Sequence, residues 1–130
     1  MIHKKSTGIE RIKSLFRSLE INRQLSCGYI KQFAETRNLI LNGNNNASTL
    51  ESEGILIGKL ETNTKESIED LKHAEEHITL LERGKTTSEL AILKETLKEW
   101  KRDVVLRIVL TSNLVSYSTR LFMSIVTTRH

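Results

Sequence analysis

The sequence has no proline and few aromatic residues. Proline interrupts helices because it lacks a backbone N–H and clashes with the preceding turn. Its absence from 130 residues therefore permits long continuous helices. Sandwiches and barrels need many turns and runs of β-branched and aromatic residues, yet aromatic residues make up only 5% of this chain. These absences predict an all-α fold.

We expect no leader peptide, no membrane-spanning segment and no disulfide within this sequence. Residues 1–8 include charges but are not followed by an apolar run, and no stretch of about 20 apolar residues occurs. The most apolar segment, 104–126, is interrupted by Arg107, Asn113 and Arg120. Cys27 is the single cysteine, which fits a reducing compartment. We expect an intracellular protein, cytoplasmic or nuclear, without a transmembrane helix.

Two short breaks divide the chain into three helical segments. Gly43 in an Asn-rich stretch and Gly84 after Arg83 are the residues expected just beyond a helix C-terminus. Thr86 and Glu89 have the spacing of a capping box. We predict helices at about 7–42, 47–82 and 88–127, in one domain of residues 1–130. Short connections make consecutive helices antiparallel, so the expected fold is an up-down-up bundle resembling a coiled coil.

Each predicted helix has a heptad seam, which is a line of inward-facing residues at alternating spacings of three and four. In the first helix the seam is Ile9, Ile12, Phe16, Leu19, Arg23, Ser26, Ile30, Phe33, Arg37 and Ile40. In the second it is Leu50, Gly54, Ile57, Glu61, Thr64, Ile68, Leu71, Glu75, Ile78 and Glu82. In the third it is Leu90, Leu93, Leu97, Trp100, Val104, Arg107, Thr111, Leu114, Ser118, Leu121 and Ile125.

Charge alternates between the three segments. Residues 1–43 contain eight Lys and Arg against three Glu, residues 44–83 four against nine acidic residues, and residues 84–130 eight against four. An acidic second helix between two basic helices disfavours wrong pairings. If residue i of the first helix faces residue 89−i, and the third helix turns back at Gly84 and Lys85, opposite charges meet in four places. The predicted pairs are Arg23 with Glu66 and Glu69, Arg37 with Glu51 and Glu53, Glu75 with Lys94, and Glu61 with Arg107.

Small residues suggest where helices approach closely. Gly54 and Gly58 lie four residues apart inside the second helix, where glycine is otherwise unfavourable. Gly28 beside Cys27 predicts either a similar thin spot or a kink in the first helix. We expect Cys27 itself to be a small buried side chain.

The second half of the third helix has apolar residues on every side. Two neighbouring helices of the same chain cannot cover such a helix completely, so a partner surface is expected. We predict a non-enzymatic interaction or scaffold protein that forms a homo-oligomer or hetero-oligomer. The predicted protein interface is Val105, Ile108, Val109, Val115, Phe122 and Met123. The alternative is a wide core face with small polar residues in water.

No pattern of catalytic, cofactor or metal-binding residues occurs. His73 and His77 have the spacing of two metal ligands, but Ala74 stands where the zinc-protease motif has glutamate, and a third ligand is missing. We expect both histidines to be solvated. We also find no base for Cys27 and no phosphate-binding loop, so we expect no enzyme, no cofactor and no small-molecule substrate.

A nucleic-acid-binding helical module is the alternative function. Basic residues cluster on the first helix and on the third, where they are Lys94, Lys98, Lys101 and Arg102. Such faces can follow a phosphate backbone. Glu95, Glu99 and Asp103 interrupt the second cluster, and few aromatics are present for stacking on bases. A protein partner is therefore the leading expectation, ahead of nucleic acid and of a membrane surface.

Overall fold

The computed structural model describes residues 3–43, 47–84 and 87–128, with side chains described at 8–43, 47–84, 87–121 and 123. It contains three helices, α1 (His3–Leu41), α2 (Ala47–Gly84) and α3 (Ser88–Thr128). No strand occurs within these ranges. The helices pack as an antiparallel bundle with α2 in the middle, because α1 and α3 each pack along α2 and approach each other much less. The all-α bundle expected from the sequence is confirmed.

The helix ends follow from local chemistry. Gly43 has a φ of 98°, which favours glycine, and its N–H donates to the carbonyl of Ile40 at 3.1 Å. At the start of α3, the hydroxyl of Thr87 accepts a hydrogen bond from the N–H of Leu90 at 3.2 Å. Thr87 therefore caps α3, whereas the expected cap, Thr86, lies outside the described residues.

The pairing of α1 with α2 follows the expected register. The buried residues of α1 include five that are seven positions apart: Ile12, Leu19, Ser26, Phe33 and Ile40. Contacts join Arg37 to Glu53 and Ser26 to Asn63, so the two residue numbers sum to 89 or 90. The prediction that residue i faces residue 89−i is confirmed.

The predicted seam of α2 is correct at every second member, since Thr64 and Ile78 are buried, but the alternate members are wrong by one position. The predicted members Gly54, Glu61, Ile68 and Glu75 are exposed. The side chains that lie against α1 come one residue earlier, and their buried members include Glu53, Leu56, Leu60, Asn63, Ser67 and Ala74. Polar residues occupy three of those buried positions, so hydrophobicity alone indicated the wrong face.

The seam of α3 is as expected, but its register against α2 is shifted. Its buried members are Leu90, Leu93, Leu97, Val104, Arg107 and Thr111, and the side chain of the predicted Ile125 lies outside those described. The ammonium of Lys101 lies 3.1 Å from the carboxylate of Glu75, and that of Lys94 lies 2.7 Å from Glu82. The predicted pair Glu75–Lys94 is therefore wrong by about two helical turns. Because α2 includes Gly84 and α3 begins at Ser88, the two helices are connected later in the sequence than the prediction assumed.

Apolar packing is concentrated at one end of the bundle. There the start of α1, the end of α2 and the start of α3 bury a cluster made of Ile12, Ala74, Ile78, Leu90, Leu93 and Leu97. Burial of such side chains stabilises the fold by about 1.5–3 kcal/mol each. At the same end, Gly8 of α1 lies closely against the side chain of Leu81 on α2, since a Cβ on Gly8 would lie 3.1 Å from it.

Candidate protein-interaction surface on the third helix

Large apolar side chains of α3 are exposed beyond Val104. Val104 itself is buried, but Val105 is 56% exposed, Leu106 69% and Val109 54%. Most exposed hydrophobic residues on a protein surface are scattered and need no explanation. Here they follow one another along a single helix. We name the exposed set the α3 apolar surface, and its members are Val105, Leu106, Ile108, Val109, Leu110, Tyr117 and Met123.

The α3 apolar surface extends around the helix on both sides of its contact with the bundle. On one side, Ile108 and Val115 line an open groove together with Ile68 of α2. On the other side, Asp103 lines a small cavity with Arg23 of α1. Leu106 and Leu110 follow Asp103 by three and seven residues, so they lie on this α1-facing side.

The structure places four predicted interface residues on this surface. Val105, Ile108, Val109 and Met123 are exposed, and Val115 is half-buried in the groove. The side chain of Phe122 lies outside those described. The exposed residues omitted from the predicted interface are Leu106, Leu110 and Tyr117. The sequence signal for them was the apolar character of α3 on every side.

The edge between α2 and α3 changes character along its length. Near the apolar end of the bundle it is closed by two ion pairs, Glu82–Lys94 and Glu75–Lys101. Seven residues away from the Glu75–Lys101 pair, in the direction away from that end, Ile68 of α2 and Ile108 of α3 occupy the corresponding edge positions and line the groove. Edge positions in a two-helix contact are normally charged, so an apolar edge indicates room for a further helix.

A buried polar layer lies in the middle of the bundle, where this apolar edge begins. Arg107 is only 7% exposed, and its Nη1 donates to the hydroxyls of Ser26 and Ser67 at 3.4 Å. The carboxylate of Asp103 accepts a hydrogen bond from Nε of Arg107 at 3.0 Å. Arg107 thus joins all three helices and fixes where the second half of α3 begins. The predicted partner of Arg107, Glu61, instead lines the groove.

A second polar group joins α1 to α3 on the surface. Arg23 donates a hydrogen bond to Glu20, and its guanidinium carbon lies 5.7 Å from the centre of the Trp100 ring. This hydrogen bond lowers the pKa of Glu20 below its usual value and raises the pKa of Arg23. The predicted pairing of Arg23 with Glu66 and Glu69 is wrong. The predicted pairing of Arg37 with Glu53 is correct, since Arg37 donates two hydrogen bonds to the carboxylate of Glu53.

Several smaller predictions need correction. Cys27 is exposed, because the buried position is the preceding Ser26. His73 is exposed as expected, whereas His77 is half-buried on the side of α2 that faces α1. A Cβ on Gly28, Gly54 or Gly58 would meet nothing within 4 Å, so none of these glycines marks a close approach between helices.

The basic cluster of α3 is largely neutralised within the chain. Lys94 and Lys101 pair with α2, and Lys98 lies 3.1 Å from the carboxylate of Glu95. On α1, Lys13 pairs with Glu89 at 3.2 Å. These pairs are exposed and individually weak, but they reduce the positive potential available to a phosphate backbone.

Residues 3–43, 47–84 and 87–128 contain no group of three or more His, Cys, Asp or Glu side chains arranged to hold a metal ion. Within the same ranges, no helix combines the length and apolar character needed to cross a bilayer. Comparisons with protein-family models, curated proteins and solved structures gave no match.

Proposed function

We propose that this protein is a non-enzymatic interaction or scaffold module that assembles into an oligomer through the second half of α3. The single observation that supports this proposal is the α3 apolar surface, where Val105, Leu106 and Val109 are each more than half exposed. Contiguous apolar patches of this kind mark interaction sites more often than solvated surface.

The arrangement of the bundle explains why one half of α3 serves this role. The first half contributes Leu90, Leu93 and Leu97 to the apolar cluster, and most of its other side chains are charged. Among the side chains described beyond Arg107, Thr111 is buried and only Leu114, Val115, Ser118 and Leu121 are half-buried. Covering the remaining apolar area would stabilise an assembly by roughly 25 cal/mol per Å² before the costs of association.

The proposal is tested by a charged substitution on the surface and a matched substitution elsewhere on the same helix. Val109→Glu places a carboxylate in the proposed interface, whereas Ile92→Glu changes a side chain that is 66% exposed on the first half of α3. His73→Glu on α2 is a second control. Mass is measured by light scattering after gel filtration, with circular dichroism as the check on folding.

The unsubstituted chain is expected to exceed the monomer mass of 14.9 kDa. Val109→Glu should weaken association about tenfold or more, which corresponds to 1.4 kcal/mol per factor of ten. The two controls should behave like the unsubstituted chain. A chain that is monomeric and soluble at high concentration, and that binds no dye for apolar surfaces, would exclude the proposal.

Nucleic-acid binding has weaker support, because Lys94, Lys98 and Lys101 already have carboxylate partners within 3.2 Å. Retention on nucleic acid at about 50 mM salt, with an affinity that falls steeply as salt rises, would favour it instead.

A further inference from the structure

The sequence of α3 contains a second heptad seam that the bundle does not use. It consists of Val105, Ile108, Ser112, Val115 and Thr119, spaced alternately three and four residues apart. Val105, Ile108, Ser112 and Thr119 are exposed, and Val115 is half-buried. We name this set the second seam. A heptad seam on an exposed helix face is the pattern that a further helix recognises.

We propose that the second seam binds the second seam of another copy of this chain, with the two α3 helices antiparallel. This inference rests on the proposed function and specifies that the partner is a second copy of this chain in the antiparallel orientation. The second seam has two kinds of heptad position: Val105, Ser112 and Thr119 are of one kind, and Ile108 and Val115 are of the other. In antiparallel pairing each position of one kind faces a position of the other kind in the second helix. Ile108 then faces Thr119 of the second copy, and Ser112 faces Val115. In both of these pairs a large side chain meets a small one.

The charges of α3 determine the orientation. Continued towards the start of α3, the second seam reads Lys101, Lys98 and Lys94. A parallel pair in register would place each of these lysines against the same lysine of the second copy. In the antiparallel pair the Lys98 residues of the two copies are about 46 Å apart, at 1.5 Å per residue. Antiparallel pairing therefore joins the apolar halves and separates the like charges.

The acidic helix α2 complements this arrangement. Where an edge residue of α2 faces an edge residue of α3, the two residue numbers sum to 176, as in the ion pairs Glu75–Lys101 and Glu82–Lys94. By the same register, the end of α3 lies beside the start of α2, where Glu51 is exposed. The antiparallel pair brings Lys101 of the second copy to that end. Its positive charge then lies near the carboxylate of Glu51.

The exposed area supports a partner of substantial size. A compact monomer of 14.9 kDa exposes about 7,000 Å², whereas this chain exposes 9014 Å². Part of the excess comes from the elongated shape. A stable interface of standard size removes about 800 Å² from each partner, which is well within the excess. The pairing is isologous, so one two-fold axis satisfies both copies and closes the assembly.

Disulfide cross-linking between full-length chains tests the orientation. All variants have Cys27→Ser, so that each chain contains one introduced cysteine: Ile108→Cys, Thr119→Cys or, as a control on the first half of α3, Ile92→Cys. Antiparallel pairing places positions 108 and 119 of different copies opposite each other. It separates each position from itself in the second copy by about 17 Å along the axis, too far for a disulfide.

The expected result after oxidation with oxidised glutathione is a cross-linked dimer in the mixture of Ile108→Cys and Thr119→Cys chains. Each variant alone, and mixtures with Ile92→Cys, should remain mostly monomeric on denaturing gels. Strong linking of Ile108→Cys alone would indicate a parallel pair and overturn this inference, while leaving the proposed function in place. Association that is lost in Val109→Glu but gives no link in any mixture would have the same consequence. A chain that stays monomeric at every concentration and forms no cross-link would overturn both this inference and the proposed function.

Discussion

The Nη1 of Arg107 on α3 donates a hydrogen bond to the hydroxyl of Ser67 on α2 at 3.4 Å, in the middle of the bundle where both residues are buried. Arg107 also reaches Ser26 on α1. A buried arginine contributes little net stability after desolvation, but it admits few alternative pairings. We therefore regard Arg107 as the residue that fixes the register of α3.

Truncation of Arg107 should destabilise the bundle. Arg107→Ala removes a long buried side chain and a donor shared by Ser26 and Ser67, so we expect the free energy of unfolding to fall by about 2–4 kcal/mol. Arg107→Met keeps most of the volume and should cost less than half as much. Urea denaturation followed by circular dichroism measures both. Equal losses in the two variants would indicate that packing volume has no part in the effect.

The ion pair between Arg37 and Glu53 offers a second test of a buried charge. The side chain of Glu53 is 2% exposed, and that of Arg37 is 21% exposed. Arg37→Ala leaves a buried carboxylate without its partner and should lower the free energy of unfolding by about 3 kcal/mol.

The control for Arg37→Ala is an exposed ion pair. Lys98→Ala breaks the contact between Lys98, whose side chain is 64% exposed, and Glu95, whose side chain is 72% exposed. It should change the free energy of unfolding by less than about 0.5 kcal/mol. A small effect of Arg37→Ala, similar to that of Lys98→Ala, would show that Glu53 is solvated.

The acid titration of Glu20 should depend on Arg23. The hydrogen bond from Arg23 lowers the pKa of Glu20, so Arg23→Gln should raise that pKa towards its usual value. The pKa of Glu20 is lower in the folded state than in the unfolded state. The contribution of the Arg23–Glu20 interaction to the stability of the fold is therefore complete at a pH above the unfolded-state pKa. It is lost as the pH falls through the folded pKa. Carbon-detected NMR titration measures the shift, and an unchanged pKa in Arg23→Gln would contradict the assignment.

Two glycines should respond in opposite ways to alanine. Gly28 lies inside α1 with nothing within 4 Å of a Cβ, so Gly28→Ala should raise the free energy of unfolding by about 0.5–1 kcal/mol. Gly43 has a φ of 98°, so Gly43→Ala should lower it by about 1 kcal/mol. Thermal unfolding of the two variants checks the contrast, and a loss of stability in Gly28→Ala would indicate a contact at that position.

The number of helices and two of the three seams were predictable from the sequence, because heptad spacing and glycine breaks determine them locally. The seam of α1 and that of α3 consist mainly of Ile, Leu, Phe and Val, so hydrophobicity indicated the correct faces. On α2 the buried line includes Glu53, Asn63 and Ser67. Hydrophobicity favoured the adjacent face, which includes Ile57 and Ile68, and the prediction shifted by one residue.

Long-range register was only partly predictable. The first break in the sequence is short and includes Gly43, and the pairing of α1 with α2 followed from its position. The start of α3 was predicted correctly at Ser88. The predicted α2–α3 pairing assumed a turn at Gly84 and Lys85, which gives residue numbers that sum to 169, whereas the observed pairs sum to 176. The exposure of Leu106, Leu110 and Tyr117 depends on how little of α3 contacts α1. Such a contact between helices that are not consecutive leaves no local signal in the sequence.

Sedimentation equilibrium of the unsubstituted full chain, over a dilution series near neutral pH, tests most directly whether a second copy covers the apolar half of α3. The account predicts an average mass that approaches twice the 14.9 kDa of the monomer at high concentration and decreases towards 14.9 kDa on dilution. A mass of 14.9 kDa at every concentration, up to the millimolar range, would contradict it.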